Sequence, residues 1–317
     1  MQRLEVIGKF FLALASSVLV FMSGFAMPPL GVILLPLVIQ PVLVFGMKYG
    51  IAGGLGVLCF AVLLLVLFAG EAMALLYSVF ALMAALLFGL LGRVRTIEYL
   101  VVSVAAAVLG ATASLLLYFF GSWSAMLQDF RQSISQQIES AMHMQEKMGF
   151  PAESLELLKE RAPHVIATML QLLPALVFLS LAFVVLVNIL FLCRRFPERR
   201  SQWLALANLR EWKGPEPLVW VLIACGFSLF VPGLEVVYPA ALNLLLIIGA
   251  CYFAQGLAVI AYFFHKNNVP RFLRGITYVL IVFQQIFTLL VVGLGLFDLW
   301  GNFRRLGKDN LTPSQAA

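Results

Sequence analysis

Charged and amide side chains inside a long apolar run are costly unless they bond to something, so they mark where chemistry is to be sought in such a chain. Six residues stand out: Asn188, Asn243, Gln255, Gln284, Thr288 and Asp298. Four of them fall in two stretches that look built. Gln284, Thr288, Val291, Gly295 and Asp298 follow one another at steps of four, three, four and three. At helical spacing they share an arc of about 80°. Gln255 opens the segment Gln255-Gly256-Leu257. A face that mixes small and polar groups looks toward protein and away from lipid. It serves either interhelical hydrogen bonds, worth below about 2 kcal/mol each, or the wall of a solute pocket. Asp298 ends its apolar run, where water is expected to reach it.

Other chemistry is poorly supported. HExxH, GxxxxGK[ST] and GxSxG motifs do not occur, and no carboxylate pair is buried in a run. No catalytic residue, cofactor or metal ligand is therefore assigned, and the chain is not read as an enzyme. Met142-His143-Met144 with Met148 is a thioether and imidazole cluster of the sort that suits Cu(I). Neighbouring helical residues diverge by about 100°, however, and Met142 belongs to an apolar stripe. Cys59, Cys193, Cys225 and Cys251 lack CxxC spacing and read as small packing residues.

The elements that position these residues follow from composition. The chain has 317 residues, 62% of them hydrophobic and only 11% charged. Its mean hydropathy is +1.01. Too little polar surface is available to coat a soluble fold, which excludes a soluble enzyme or a nucleic-acid module. The fold class is all-α, a polytopic helical membrane bundle forming a single membrane domain over 1–317. Apolar runs at 10–25, 30–45, 51–68, 73–91, 100–120, 165–192, 218–231, 240–264 and 276–296 predict about nine spans. The first reads as an uncleaved span. The run at 218–231 is short and is followed by Pro232-Gly233, so the alternative is eight spans with a re-entrant 218–239.

Net charge is +6. With the N-terminus cytoplasmic, the inner loops hold 14 basic residues, six of them between 193 and 217, and the outer side holds 7. Nine spans put the C-terminal tail, with Arg304, Arg305 and Lys308, outside. The expected location is the cytoplasmic (inner) membrane of a bacterium.

One sizeable extramembrane insert is present. Over 121–164, Met126, Phe130, Ile134, Ile138 and Met142 form the stripe of an amphipathic helix. A short second helix at 152–162, stopped by Pro163, completes an extracytoplasmic hairpin. Small residues suggest close helix approach or partner contact: Ala13 with Ser17, Gly50 with Gly54, and Gly110 with Ser103, Ala107 and Ser114.

Further segments carry a resemblance. They are Leu209-Arg210-Glu211-Trp212, Ala254-Gln255-Gly256-Leu257-Ala258, and Gly295-Leu296-Phe297-Asp298 with Trp300, Phe303, Arg304 and Arg305. Together they resemble the YybS-like family of bacterial inner-membrane proteins of unknown function. The first six spans are similar to the S components of energy-coupling-factor transporters, through Pro28-Pro29, Lys48-Tyr49-Gly50 and Gly54. Ala13 and Ser17 fall where S components contact the energy-coupling subunit. The resemblance implies a transporter-like solute-binding protein with a membrane energy-coupling partner. It transfers no solute-binding residue, and three extra spans and the long insert depart from the S-component pattern.

Two readings follow. The first is solute binding between spans, with Asn188, Asn243, Gln255 and Gln284 lining a water-accessible cavity. The second is a non-transporting scaffold or assembly factor acting through loop 193–217 or hairpin 121–164. Both expect the lipid bilayer as partner, and neither expects nucleic acid.

Overall fold

The computed structural model describes residues 2–148, 152–204, 209–233 and 235–304. Thirteen α-helices are present among them: α1 (Gln2–Ala26), α2 (Pro28–Leu34), α3 (Gln40–Tyr49), α4 (Ile51–Ala69), α5 (Glu71–Leu90), α6 (Ile97–Phe120), α7 (Trp123–Lys147), α8 (Ala152–Arg195), α9 (Arg200–Trp203), α10 (Leu218–Ser228), α11 (Tyr238–Lys266), α12 (Arg271–Phe283) and α13 (Gln285–Gly301). No β-strand occurs among the described residues. Among the described residues, seven helices or helical segments are long and apolar enough to cross a membrane, and the bent α12–α13 pair makes an eighth if it is one span. The run at 218–231 yields only the 11-residue α10, about 16 Å long and short of a bilayer. The run at 276–296 is not one helix: it is broken at Gln284 with a bend of 103°.

The chain divides into two compact units. The first comprises residues 1–170 and 176–205, the second residues 171–175 and 206–317.

In the first unit, α1 buries Ala13, Ser17 and Phe21 along one face. The Ser17 hydroxyl lies 2.7 Å from the Val38 carbonyl and 2.8 Å from the Tyr77 hydroxyl. Phe21 meets Tyr77 edge-on at 5.3 Å. Pro36 sits in a 3-10 turn between α2 and α3, and Pro41 lies in the first turn of α3, where its missing N–H is harmless. Gly50, at φ +115°, turns the chain from α3 into α4. Gly46 and Gly54 leave room for the Phe88 ring, which side chains at either position would strike. The small-residue face of α6 behaves differently. Ser103, Ala107, Gly110 and Ser114 are exposed, and a Cβ at Gly110 would meet nothing within 4 Å. The packing face of α6 is the one holding Leu100, Val104 and Val108. Two arginines tie loops to backbone: Arg199 donates to the Met47 carbonyl at 2.9 Å, and Arg95 to that of Ser201 at 2.9 Å.

The insert holds one surprise. α7 matches the expected amphipathic helix, but no helix stops at Pro163: α8 runs unbroken for 44 residues through Pro163 and Pro174. A proline removes one ladder bond, which a long, otherwise well-packed helix can absorb. The side chains of 151–159 lie outside the described residues, as do Arg305 and Lys308.

In the second unit α11 is the central element. α13 packs antiparallel along it, and the contact is close because of two glycines. A side chain at Gly256 would collide with the Val291 carbonyl, and one at Gly295 with the Tyr252 carbonyl. Val219, Ile248 and Tyr252 form the apolar core beside them, with Leu222, Val292, Leu296 and Leu299 packed around it.

Candidate functional site

The sequence-nominated residues separate by role. In the first unit Asn188 is fully buried, and its Nδ2 donates to the carbonyls of Pro36 and Val184, both at 2.7 Å. Gln40 donates to the Asn188 carbonyl at 2.9 Å. Asn188 therefore fastens α8 to the proline break between α2 and α3.

Asn243, in the second unit, does a similar task at Pro174. Its Oδ1 accepts from the Ala175 N–H at 2.8 Å, and its Nδ2 donates to the Gln171 carbonyl at 2.7 Å. Residues 171 and 175 stand four apart, the natural partners of one helical hydrogen bond. The amide inserts between them and satisfies both groups where the proline disturbs the ladder. Both asparagines thus spend their donors on backbone.

Gln284 is exposed at the break between α12 and α13. Thr288 is half-buried and bonds back across that break to the Ile281 carbonyl at 2.7 Å. Of the face read from sequence, Val291 and Gly295 are buried, as expected of a protein-facing stripe, and so is Asp298, while Gln284 is not.

The remaining two residues come together. Gln255 and Asp298 are both fully buried, so the expectation that water reaches Asp298 is overturned: Arg304 folds back over the end of α13 and covers it. Arg304 Nη2 lies 2.6 Å from Asp298 Oδ2, and neither side chain is exposed. Gln255 Nε2 donates to the same oxygen at 3.3 Å, and the Phe303 N–H donates to Oδ1 at 3.1 Å. The fold-back depends on Asn302, the left-handed residue (φ +38°) that caps α13 and tolerates that conformation better than most. Arg304 Nη1 reaches the carbonyls of Arg210 and Trp212, at 2.6 and 3.0 Å. Gln255 Oε1 accepts from the Gly214 N–H at 3.0 Å, and Lys213 Nζ bonds Asn302 Oδ1 at 3.2 Å. One buried ion pair therefore pins loop 209–214, which opens with a 3-10 turn at Leu209–Glu211, to α11 and α13.

Its position along α11 matters. Gln255 lies well inside that apolar helix, roughly 16 Å from its C-terminal end by helical rise. The loop that meets it there carries Glu211 and Glu216 on its exposed side. Two buried polar atoms of the region, Arg304 Nε and the Tyr252 hydroxyl, have no hydrogen-bond partner among the described residues. Sequence reasoning selected Gln255 and Asp298 but treated Arg304 as a tail charge. Its one trace in the sequence is a spacing of six from Asp298. No cluster of three or more metal-ligating side chains occurs among the described residues.

Seven apolar helices of spanning length, with no strand among the described residues, define a polytopic α-helical membrane protein. The family model of predicted membrane proteins DUF2232 matches residues 14–299, and the chain belongs to that family. No curated protein and no solved structure matches it.

Proposed function

We propose that the protein is a transporter-like, solute-binding membrane protein whose site is the Gln255–Asp298–Arg304 cluster, and that its solute is a small anion, foremost a carboxylate. The observation that carries this reading is the buried Asp298–Arg304 pair set against the interior of α11. Charges at such positions are expensive and cluster on solute and ion paths. Non-helical backbone is tolerated at membrane depth where it is buried in protein or lines a water-filled cavity, and many transporters bind solute at the ends of interrupted helices. Here α10 begins just beyond the loop, and α13 ends at it. Glu216 on the loop's open side calls for water at that level. In this scheme Asp298 holds the guanidinium in place and leaves Arg304 Nε without a partner in the unloaded protein. A solute carboxylate approaches the guanidinium at its unpartnered Nε, beside Asp298, which keeps its bond to Nη2.

The proposal includes a bacterial inner-membrane location with a cytoplasmic N-terminus, supported by the excess of basic residues in alternate loops. It also includes kinship of the first six spans with S components and, with it, an energy-coupling membrane partner. The test is thermal unfolding of the full-length protein in mild detergent against a panel of small carboxylates, phosphate esters and neutral amides. Stabilisation by carboxylates that disappears in Arg304→Gln supports the reading. A panel without effect on the wild type, or with equal effect on Arg304→Gln, rejects it.

The scaffold reading draws on a different observation, the arginine ties Arg199 to Met47 and Arg95 to Ser201. They hold residues 196–203 as a preformed surface suited to a protein partner.

A further inference from the structure

We propose that α12 carries a binding site for an anionic phospholipid, distinct from the solute cluster and independent of it. α12 turns 103° away from α13 at Gln284. If α13 crosses the bilayer, α12 lies along its surface, as interfacial helices do. Its two sides are sharply different. Arg274, Tyr278 and Ile281 face the protein: Ile281 is buried, Tyr278 meets Phe264 edge-on at 5.8 Å, and Arg274 Nε donates to the Val269 carbonyl at 2.7 Å. Phe272, Ile276, Val279 and Phe283 recur at helical spacing on the opposite side and are all exposed, Phe272 at 76% and Phe283 at 83%.

An open groove of about 400 Å³ runs along this helix, lined by Arg271, Phe272, Gly275, Ile276, Val279 and Leu280. Gly275 forms part of its floor, since a Cβ there would meet nothing within 4 Å. The groove is apolar along its length, and Arg271, exposed at the start of α12, borders one end of it. An acyl chain fits the first feature and a phosphate headgroup the second.

Charge complementarity fixes the headgroup class. Lys266, Arg271 and Arg274 lie within nine residues of one another, and no Asp or Glu occurs between positions 236 and 297. A phosphate therefore meets no repelling carboxylate from α11, α12 or α13 short of Asp298, and that carboxylate is already neutralised by Arg304. Basic residues at a membrane surface each strengthen attraction to anionic lipid, on the order of fivefold in affinity.

The test is lipid retention by the full-length protein. The protein is equilibrated in vesicles of equal phosphatidylglycerol and phosphatidylcholine content, extracted in mild detergent, and its bound phospholipid is read by native mass spectrometry. The wild type is expected to retain phosphatidylglycerol in preference. Arg271→Gln should reduce that preference about fivefold. Gly275→Phe should fill the groove and reduce retention of both lipids, and the open space at Gly275 predicts an unchanged melting temperature. Equal retention of the two lipids by the wild type overturns the proposal, as does wild-type retention by both variants. A dimer that Gly275→Phe dissociates, with no lipid bound, also overturns it and assigns the face to a second copy of the chain.

Discussion

Replacing Asp298 by alanine tests the buried pair most sharply. The wild-type carboxylate accepts from Arg304 at 2.6 Å, from the Phe303 N–H at 3.1 Å and from Gln255 at 3.3 Å, with no exposure. Removing it leaves the guanidinium buried without a counter-charge among the described residues, held by the carbonyls of Arg210 and Trp212. Breaking a buried pair in this way costs about 3–5 kcal/mol. Exchanging both partners, as Asp298→Leu with Arg304→Met, removes the stranded charge. What is then lost is four hydrogen bonds, those of Arg304 to the Arg210 and Trp212 carbonyls and those of Gln255 and the Phe303 N–H to Asp298, each worth about 0.5–1.5 kcal/mol, or more where a charge is involved; the last two are lost in Asp298→Ala as well. The double variant should therefore be more stable than Asp298→Ala alone. Denaturation in mixed micelles, followed by tryptophan fluorescence, measures both, and Trp212 and Trp300 report from the second unit. A cost below about 1 kcal/mol for Asp298→Ala would refute the reasoning. So would a double variant less stable than the single one.

Other outcomes follow from the same geometry. Gly256→Leu drives a side chain into the Val291 carbonyl and should destabilise by at least the 1–3 kcal/mol typical of overpacking, measured by the same unfolding assay. Gly110→Leu meets open space and should stay within about 0.5 kcal/mol of wild type in that assay. Asn243→Leu strands the Ala175 N–H and Gln171 carbonyl. It should cost about 1–3 kcal/mol and speed hydrogen exchange at Ala175.

Much of this architecture was legible in the chain because lipid leaves few options: an apolar run of about 20 residues becomes a helix. Length alone marked 218–231 as too short to span with ease. What the sequence did not reveal depends on register between helices. Nothing in the spacing of Asn243 says that its amide will meet residues 171 and 175, because that meeting depends on how the 171–175 turn packs on α11 within the second unit. The nearest clue was Pro174, a proline in a helix whose freed groups need a partner. Arg304 was hidden for a related reason. It follows the last apolar run, and only a left-handed Asn302 sends it back onto Asp298. The break at Gln284 contains neither glycine nor proline, and two adjacent glutamines in an apolar run were its only trace. Pro163 misled in the opposite direction, because a proline can interrupt a helix chemically without ending it. The face 284, 288, 291, 295 and 298 was half right. Its last three members pack against protein, while the first sits at the bend.

The central claim is that Arg304 is the anion-binding group of a solute site in the second unit. It is tested most directly by calorimetric titration of the full-length protein with the carboxylate that raises its melting temperature most. The account predicts saturable binding at one site per chain, lost in Arg304→Gln and kept in a control variant at the exposed Arg131. Unchanged saturable binding in a folded Arg304→Gln protein, or none in the wild type, would contradict it.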